Sequence, residues 1–479
     1  MKNLLLIVFI TALMACQSCM EKPGPDKVYS LIEKEFNCGN MSILPVLSDS
    51  LRSSWPDQKE LIARTDSILQ IAERICIDFS LDEQKVLKYL AQTIGGFSLE
   101  QKQEWEDNNW LEYRIIDGKK MYFNRAVSNL DLLKSFHEQR AERDSLEASG
   151  KWMQFRKRHA WSIIEASDEN SKPVLPVEMK VKYTLTVQPD VVPEGEIIRC
   201  WLPWPKENNT RQRNIRFIDA SVDNYIISPD TMIHRSIYLE KKAIINKPTV
   251  FTASFSYESY GQYFDPEKMI ISPYDKSSVI YKEYTKEEPP HIVFSDRVMS
   301  LADSLAGPGD NSFQTVRKIY YWVNNNIPWA GALEYSIMPD IPGYVLSNMR
   351  GDCGMQTFLI MSMLRYLGIP VRWQSGWMVP PGNKNLHDWC EVYFEGLGWI
   401  PLDMSYGLHY SIGERVKEFY ISGIDSYRLI VNDGVSGAFH PVKKYLRSEP
   451  YDFQRGEVEW SGGNLYFDKW DYEMEIEYK

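Results

Sequence analysis

Apolar residues recur at helical spacing in the first third of the chain. Positions three and four apart lie on one side of a helix, and the residues that share this side are Leu61, Thr65, Ile68, Leu69, Ala72 and Ile75. Residues 80–83 and 98–101 each have the sequence of a capping box, which marks the start of a helix. We therefore predict a mostly helical region over residues 22–170, and we find no catalytic pattern in it.

After residues 171–176, apolar and polar residues alternate strictly and the helical spacing ends. The segment 171–176 contains proline and is interpreted as a linker. Every second residue from Val177 to Val187 is apolar, and residues 250–257 repeat the alternation. A period of two is typical of half-buried strands. Clusters of Pro, Gly, Asn and Asp separate the runs. We predict a β-sandwich domain over residues 177–285.

Residues 286–408 mix helix and strand patterns. Residues 313–327 have an amphipathic helical pattern, whereas residues 354–367 are apolar on nearly all sides. The second pattern predicts a helix buried in the middle of a domain. Residues 409–479 are rich in aromatic residues and contain strand-like runs, so we expect a C-terminal β-rich extension of the preceding sheet. The predicted fold class is a multidomain α+β protein with an N-terminal helical region, a β-sandwich and an α+β core.

The chain as a whole is too long, at 479 residues, for a single ordinary core. Its composition, 44% hydrophobic and 13% aromatic, indicates a folded protein. The net charge of -11 argues against nucleic acid or anionic lipid as a partner. We find no glycine-rich phosphate loop and no calcium-loop pattern, and we expect no metal and no other cofactor. The oligomeric state is left open.

The first twenty residues read as a targeting segment. Lys2 precedes an apolar run from Leu4 to Leu13, and the sequence then continues to Cys16. This pattern resembles a bacterial lipoprotein signal peptide, residues 1–20, in which the lipid is attached to Cys16 after cleavage. A plain secretory signal is the alternative. We expect a protein of the cell envelope that is lipid-anchored to a bacterial membrane, with the outer membrane favoured.

Seven cysteines occur in the sequence. With Cys16 lipidated and Cys353 kept as a thiol, the other five are odd in number and widely spaced, so they do not form a disulfide framework. A single disulfide bridge between Cys38 and Cys76 is the alternative.

Cys353, His387 and Asp403 carry the candidate chemistry. Cys353 stands at the start of the predicted buried helix, where unpaired backbone N–H groups and the helix dipole stabilise a thiolate. His387 opens one predicted strand and Asp403 closes the next. If residues 395–397 form a three-residue hairpin loop, His387 and Asp403 share a face of the sheet and lie one diagonal step apart. A thiol, an imidazole and a carboxylate are the parts of a nucleophilic acyl-transfer site.

Several other residues are candidates for supporting roles. The amide of Cys353 or of Gly354 is a candidate donor to an oxyanion. A structural cysteine is the alternative for Cys353, and a zinc site of Cys353, His387 and Cys390 lacks a fourth ligand. His409 either lines the site or lies in a surface turn. The tryptophans that could line an acyl-binding groove, or equally pack in the core, are Trp329, Trp373 and Trp377.

Three ordered blocks at these residues resemble the transglutaminase-like superfamily. They are residues 350–354, 364–372 and 387–403, and the resemblance covers roughly residues 290–410. It implies a core over residues 286–408 with Cys353 as nucleophile, His387 as base and acid and Asp403 as the orienting residue. Trp329 is the candidate for the family's upstream oxyanion residue. The family often has alanine after the histidine, where this chain has Asp388, and we expect the Asp388 side chain to point away from the site.

The predicted function is cysteine-dependent acyl transfer on peptide or glutamine amide bonds, in a protein or peptide substrate, through a thioester. Hydrolysis is favoured over crosslinking, although the residues do not separate the two. A non-catalytic scaffold or ligand-binding lipoprotein with the same fold is the alternative. A glycan-binding envelope protein is a third hypothesis, which rests only on the abundant Trp and Tyr.

Overall fold

The structure is a computed structural model and describes residues 24–138, 150–168, 170–409 and 413–479. The predicted signal peptide and Cys16 lie outside the described residues. Within these ranges, no helix is both long and apolar enough to span a bilayer.

Residues 24–83 and 114–121 belong to one compact unit. Its helices are α1 (Pro25–Asn37), α2 (Leu44–Ser54) and α3 (Lys59–Asp78). They bury a small apolar cluster that includes Ile32, Leu44 and Leu51. The helical periodicity that begins at Leu61 is confirmed, because α3 extends from Lys59 to Asp78.

The remaining elements of the N-terminal region are α4 (Glu83–Thr93), α5 (Leu99–Asp107), β1 (Tyr113–Ile116), β2 (Lys119–Tyr122), α6 (Ala126–Glu138) and α7 (Lys151–Ala166). The capping box that begins at Ser98 is confirmed at the start of α5. The hairpin of β1 and β2 was not predicted. The sequence feature that indicates this hairpin is the Asp117-Gly118 pair. The φ angles of these two residues, 49° and 73°, are both positive, as the two-residue turn that matches the strand twist requires.

Strands dominate the next segment: β3 (Val174–Val187), β4 (Ile197–Pro203), β5 (Gln212–Ala220), β6 (Ile226–Ile227), β7 (Ser236–Lys242) and β8 (Thr249–Tyr263). The predicted alternation in β3 is confirmed, since Met179, Val181, Tyr183, Leu185 and Val187 are all fully buried. Side chains of β3, β4, β7 and β8 share one apolar core, which is the interior of the sandwich.

The following segment contains α8 (Val279–Tyr284), α9 (Asp296–Leu305), α10 (Ser312–Asn326), α11 (Ile341–Asn348), α12 (Cys353–Tyr366), β9 (Val371–Met378), β10 (Asn385–Phe394) and β11 (Gly398–Leu402). The buried helix predicted at 354–367 is confirmed as α12, in which every residue from Gly354 to Arg365 is buried. Phe358 on α12 stacks on Trp373 of β9 at 4.4 Å between ring centroids. The helix therefore packs directly on the sheet that carries His387.

The C-terminal part contains α13 (Gly413–Lys417), α14 (Phe419–Ser422), β12 (Gly423–Ile424), β13 (Arg428–Asn432), β14 (Glu457–Trp460), β15 (Gly463–Leu465) and β16 (Trp470–Tyr478). Among the described strands of this part, β13 alone extends the core sheet, in the order β11-β10-β9-β13. The other strands complete the sandwich, whose sheets have the orders β12-β8-β3-β16, with β5 also paired to β8, and β15-β14-β4-β7-β6.

The expectation that residues 409–479 would extend the preceding sheet was thus wrong for most of their strands. The physical reason is that alternation marks a half-buried strand but does not identify its partner strand. The domain limits at 22–170, 177–285, 286–408 and 409–479 stay predictions.

Candidate active site

The hairpin of β10 and β11 brings His387 and Asp403 together. Its register pairs Phe394 with Gly398 and Cys390 with Leu402, as the predicted three-residue loop requires. His387 Nε2 lies 2.7 Å from Asp403 Oδ2. Because Asp403 is an acceptor, Nε2 carries the proton of the neutral imidazole, and the lone pair is left on Nδ1. The hydrogen bond therefore orients the ring with its basic nitrogen directed away from Asp403.

Arg428 is the second partner of Asp403. Its Nη1 atom lies 2.7 Å from Asp403 Oδ2, and both side chains are buried. Burial opposes ionisation of Asp403, but His387 and Arg428 together hold the pKa of its carboxyl below the ordinary value. Burial lowers the pKa of His387, and Asp403 opposes that change. The pair therefore rests as a carboxylate and a neutral imidazole, which is the form that accepts a proton.

Cys353 is the first residue of α12. Asp352 caps the helix, since its Oδ1 atom accepts a hydrogen bond of 3.0 Å from the Met355 amide and another of 2.5 Å from the Tyr335 hydroxyl. The amides of Cys353 and Gly354 lie in the first turn, where no intrahelical acceptor exists. Both amides lie in the same helical turn as the sulfur, and their role as oxyanion donors stays a prediction.

The sulfur itself contacts Asp388. Cys353 Sγ lies 3.4 Å from Asp388 Oδ2. The expectation that Asp388 points away from the site was therefore wrong. Asp388 does leave β10 on the face opposite to His387, because consecutive strand residues alternate. However, α12 packs on that same face, and its first residue meets the Asp388 carboxyl there.

Carboxyls dominate the electrostatics around the thiol. Burial raises the pKa of Cys353 well above its ordinary value, and Asp388 and Asp352 raise it further. Burial also raises the pKa of Asp388 well above the ordinary value, with contributions from Asp452 and Asp352. Among the described residues, the sulfur has no hydrogen bond with the imidazole of His387. The four side chains thus form two separate hydrogen-bonded pairs, Cys353 with Asp388 and His387 with Asp403.

Gln454 joins the two pairs. Its Nε2 atom donates to the backbone oxygen of His387 at 2.9 Å and to Asp388 Oδ1 at 2.6 Å. Neither Gln454 nor Arg428 was identified from the sequence. Arg428 had a signal, because a charged residue within the strand-like run 427–431 must have a buried partner. Gln454 lies in an irregular segment, and no sequence pattern indicated its role.

The N-terminal region supports the site from a second direction. Arg350, just before the nucleophile, is buried and reaches Glu112 Oε2 at 2.8 Å. Asn129 exchanges two hydrogen bonds with the backbone of Gly331, of 2.8 Å and 2.9 Å. Residues that showed no catalytic pattern thus hold Gly331, two residues after Trp329, and Arg350, three residues before Cys353.

A cavity of about 190 Å³ lies over the thiol. Cys353 and Asp388 line it, as does Trp329, which is 45% exposed. Its other charged lining residues are Arg125, Glu334, Asp352, Glu449, Asp452 and Arg455. Arg455 is paired with Glu334 and Glu449. The described wall therefore carries an excess of carboxyl groups, and Cys353 is part of it.

The family model that is described as the transglutaminase-like superfamily matches residues 299–404. These residues form a transglutaminase-like domain. The domain contains Cys353, His387 and Asp403, and the resemblance seen in the three sequence blocks is confirmed for this segment.

The uncharacterized protein YebA of Bacillus subtilis (strain 168) is 27% identical over 165 residues, which cover 28% of this chain and 22% of that protein. The chain thus spans less than a quarter of that relative's length. Among solved structures, a candidate cysteine protease from Cytophaga hutchinsonii is similar with a TM-score of 0.43 and 15% identity, over 64% of this chain and 91% of that one. The periplasmic domain of TgpA from Pseudomonas aeruginosa is similar with a TM-score of 0.24 and 14% identity, over 50% of this chain and 91% of that one.

Gly354 of the transglutaminase-like domain has no room for a side chain. A Cβ atom there would lie 2.2 Å from the Tyr335 hydroxyl and 2.7 Å from Asp388 Oδ2. Both distances are shorter than any van der Waals contact, so glycine is what allows Tyr335 and Asp388 to approach the start of α12. The residue proposed as an oxyanion donor therefore also has a steric role.

The remaining candidates lie away from the thiol of the transglutaminase-like domain. Cys390 is fully buried, and His409 is buried too, instead of lying in a surface turn. Trp373 and Trp377 are core residues. Cys38 and Cys76 are free thiols. No cluster of three metal-ligating side chains is found in the described ranges, and the zinc alternative gains no support.

Proposed function

We propose that this chain is a cysteine-dependent acyl-transfer enzyme that acts on peptide or glutamine amide bonds through a thioester. The observation that carries the proposal is the position of Cys353, a cavity-lining thiol at the N-terminus of a buried helix within a transglutaminase-like domain. The hydrogen-bonded His387 and Asp403 in the same domain support it. A buried imidazole with an orienting carboxylate is the arrangement that nucleophilic catalysis needs for proton transfer.

In the proposed reaction, the sulfur of Cys353 attacks the carbonyl carbon of the amide. The amides of Cys353 and Gly354 donate to the developing oxyanion, and Trp329 is a candidate for a further contact. The amine leaves and a thioester remains. Water then releases an acid, or a second amine forms a new amide. His387 serves as base and acid for these steps, with Asp403 holding the ring.

We favour water as the acceptor, so the expected products are peptides or deamidated side chains. The test is to incubate a form lacking residues 1–20 with casein, with and without a fluorescent primary amine. Cleaved peptides indicate a protease, ammonia alone a deamidase, and fluorescent casein a transglutaminase. Acetylation of Cys353 by p-nitrophenyl acetate, located by mass spectrometry, probes the nucleophile without knowledge of the substrate. Absence of all four signals would remove the proposal.

A non-catalytic scaffold is the second candidate, and one observation favours it. The hydrogen-bond partner of the sulfur is a carboxyl instead of an imidazole, and the carboxyls raise the pKa of the thiol. A thiol in that state is a poor nucleophile at neutral pH. The acetylation experiment separates the two candidates, because a scaffold leaves Cys353 unmodified.

We also propose that the protein is attached to a bacterial membrane of the cell envelope through a lipid on Cys16, with the outer membrane favoured. The support is the apolar run that ends at Cys16. Cells grown with radiolabelled palmitate should label the full chain, and Cys16→Ser should abolish the label. Equal labelling of the variant would contradict the anchor.

A further inference from the structure

Tyr406 contacts both members of the pair formed by His387 and Asp403. Its ring meets the imidazole of His387 edge-on, with 5.0 Å between the ring centroids. Its backbone amide donates a hydrogen bond of 3.2 Å to Asp403 Oδ1, whereas His387 binds the other oxygen, Oδ2. The position of Tyr406 therefore limits both the rotation of the imidazole and the movement of the carboxylate that orients it.

Arg156 holds Tyr406 from helix α7, which lies outside the transglutaminase-like domain. The Cζ atom of Arg156 lies 3.8 Å from the centroid of the Tyr406 ring. A guanidinium group at this distance is attracted by the electron-rich face of the ring. The Nη2 atom of Arg156 also donates a hydrogen bond of 2.9 Å to the backbone oxygen of Tyr406. A single side chain thus binds both the ring and the backbone of this tyrosine.

A second guanidinium group lies against the same ring. The Cζ atom of Arg428 is 4.3 Å from the Tyr406 centroid, and its Nη1 atom lies 2.7 Å from Asp403 Oδ2. Helix α7 is tied to the start of β13 as well, because His159 Nε2 accepts a hydrogen bond of 3.2 Å from the Ser426 amide. The helix that carries Arg156 is therefore fixed next to the residues that support Asp403.

We propose that Arg156 is a positioning residue, which holds the imidazole of His387 in its catalytic orientation through Tyr406. The inference rests on the proposed acyl transfer and gives helix α7 a part in it. Within the described residues, Arg156 makes no hydrogen bond or ion pair with the three proposed catalytic side chains, so it acts through the tyrosine. Without Arg156, the tyrosine should move and the imidazole should no longer be held in one orientation, which slows proton transfer.

The first test needs no substrate and follows the Nε2 proton of His387 by NMR, in protein that contains nitrogen-isotope-labelled histidine. The resonance is assigned by its loss in His387→Ala. Arg156→Met removes the charge and the donors but keeps an unbranched side chain that can pack in the same space. The Nε2 proton should exchange with solvent at least about 10-fold faster in this variant, because a looser hydrogen bond to Asp403 opens more often.

The second test separates acetylation from deacetylation with p-nitrophenyl acetate. Arg156→Met should acetylate Cys353 at the wild-type rate, because the activated ester needs no proton for its leaving group. The decay of the acetyl-enzyme, which uses His387, should slow by about 10- to 100-fold. A variant that is merely less stable would lose both steps in proportion. Arg156→Lys keeps a cation near the ring and should recover part of the loss, but not all of it, since lysine lacks the planar guanidinium group.

Arg158→Met is the matched control. Arg158 is an exposed arginine on the same helix, two residues further along the chain. Its substitution removes the same charge from α7 without removing the contact with Tyr406. The exchange of the Nε2 proton and the decay of the acetyl-enzyme should both remain at the wild-type rate.

The outcomes separate this inference from the proposed function. Wild-type exchange and decay in Arg156→Met would overturn the role of Arg156 and leave the proposed function intact, and so would equal effects in Arg156→Met and Arg158→Met. If Cys353 is acetylated in no variant and not in the wild type, the proposed function fails. The exchange of the Nε2 proton then still decides whether Arg156 holds the imidazole.

Discussion

Cys353→Ala should remove the acetylated peptide that contains residue 353 after treatment with p-nitrophenyl acetate and lower the casein reaction by at least ~10⁴-fold. The reason is that the proposed chemistry passes through a covalent bond to Sγ, and no neighbouring group can replace it. Cys390, the nearest other cysteine in sequence to His387, is fully buried and does not line the cavity. The measurement is the mass of the acetylated peptide together with the rate of amine or peptide release.

Cys38→Ala is the control for this experiment. Cys38 is an exposed free thiol of the N-terminal helical unit, so it reacts with electrophiles without taking part in the proposed catalysis. The variant should lose one alkylation site and keep the full casein activity. Full activity in Cys353→Ala, with an unchanged unfolding transition, would show that the reaction does not use the thioester.

His387→Ala should lower the casein reaction by ~10²- to 10⁴-fold while Cys353 is still acetylated by p-nitrophenyl acetate. The activated ester needs no proton for its leaving group, whereas the water that resolves the thioester needs a base. Burial lowers the pKa of His387, which keeps its Nδ1 lone pair available near neutral pH. Acetyl-enzyme should therefore accumulate, and its decay, followed by mass spectrometry, is the measurement.

His409→Phe is the matched control for this second prediction. His409 is also a buried histidine, and its ring meets that of Tyr420 edge-on with 5.4 Å between centroids. Neither of its ring nitrogens has a hydrogen-bond partner in the described part of the chain. Phenylalanine preserves the ring contact, so acetyl-enzyme should decay at the wild-type rate. Equal decay in His387→Ala would assign the base to another residue.

The pairing of His387 with Asp403 could be derived from the sequence because it is a local property of one hairpin. Loop length determines which residues of β10 and β11 are opposite, and alternation then determines which share a face. The position of Cys353 at a helix start was also local, since a short polar cap and an apolar run mark that point. The helix, the hairpin and the family resemblance needed no knowledge of distant contacts.

The contact between Cys353 and Asp388 could not be derived in this way. Alternation places Asp388 opposite to His387, but the face on which α12 packs depends on the whole domain. Arg428 and Gln454 reach the site from strands and loops that are distant in sequence, and Glu112 supports it from the N-terminal region. Their partners are set by the way in which separate elements pack together.

By itself, the sequence determined the helix that presents Cys353, the hairpin that joins His387 to Asp403, and the alternating strands of the sandwich, because these follow from short-range periodicity and turn geometry. Only the tertiary structure decided that the last strands return to the sandwich and that a buried carboxyl lies beside the thiol. Both depend on which surfaces bury one another, and such contacts join residues that no local pattern connects.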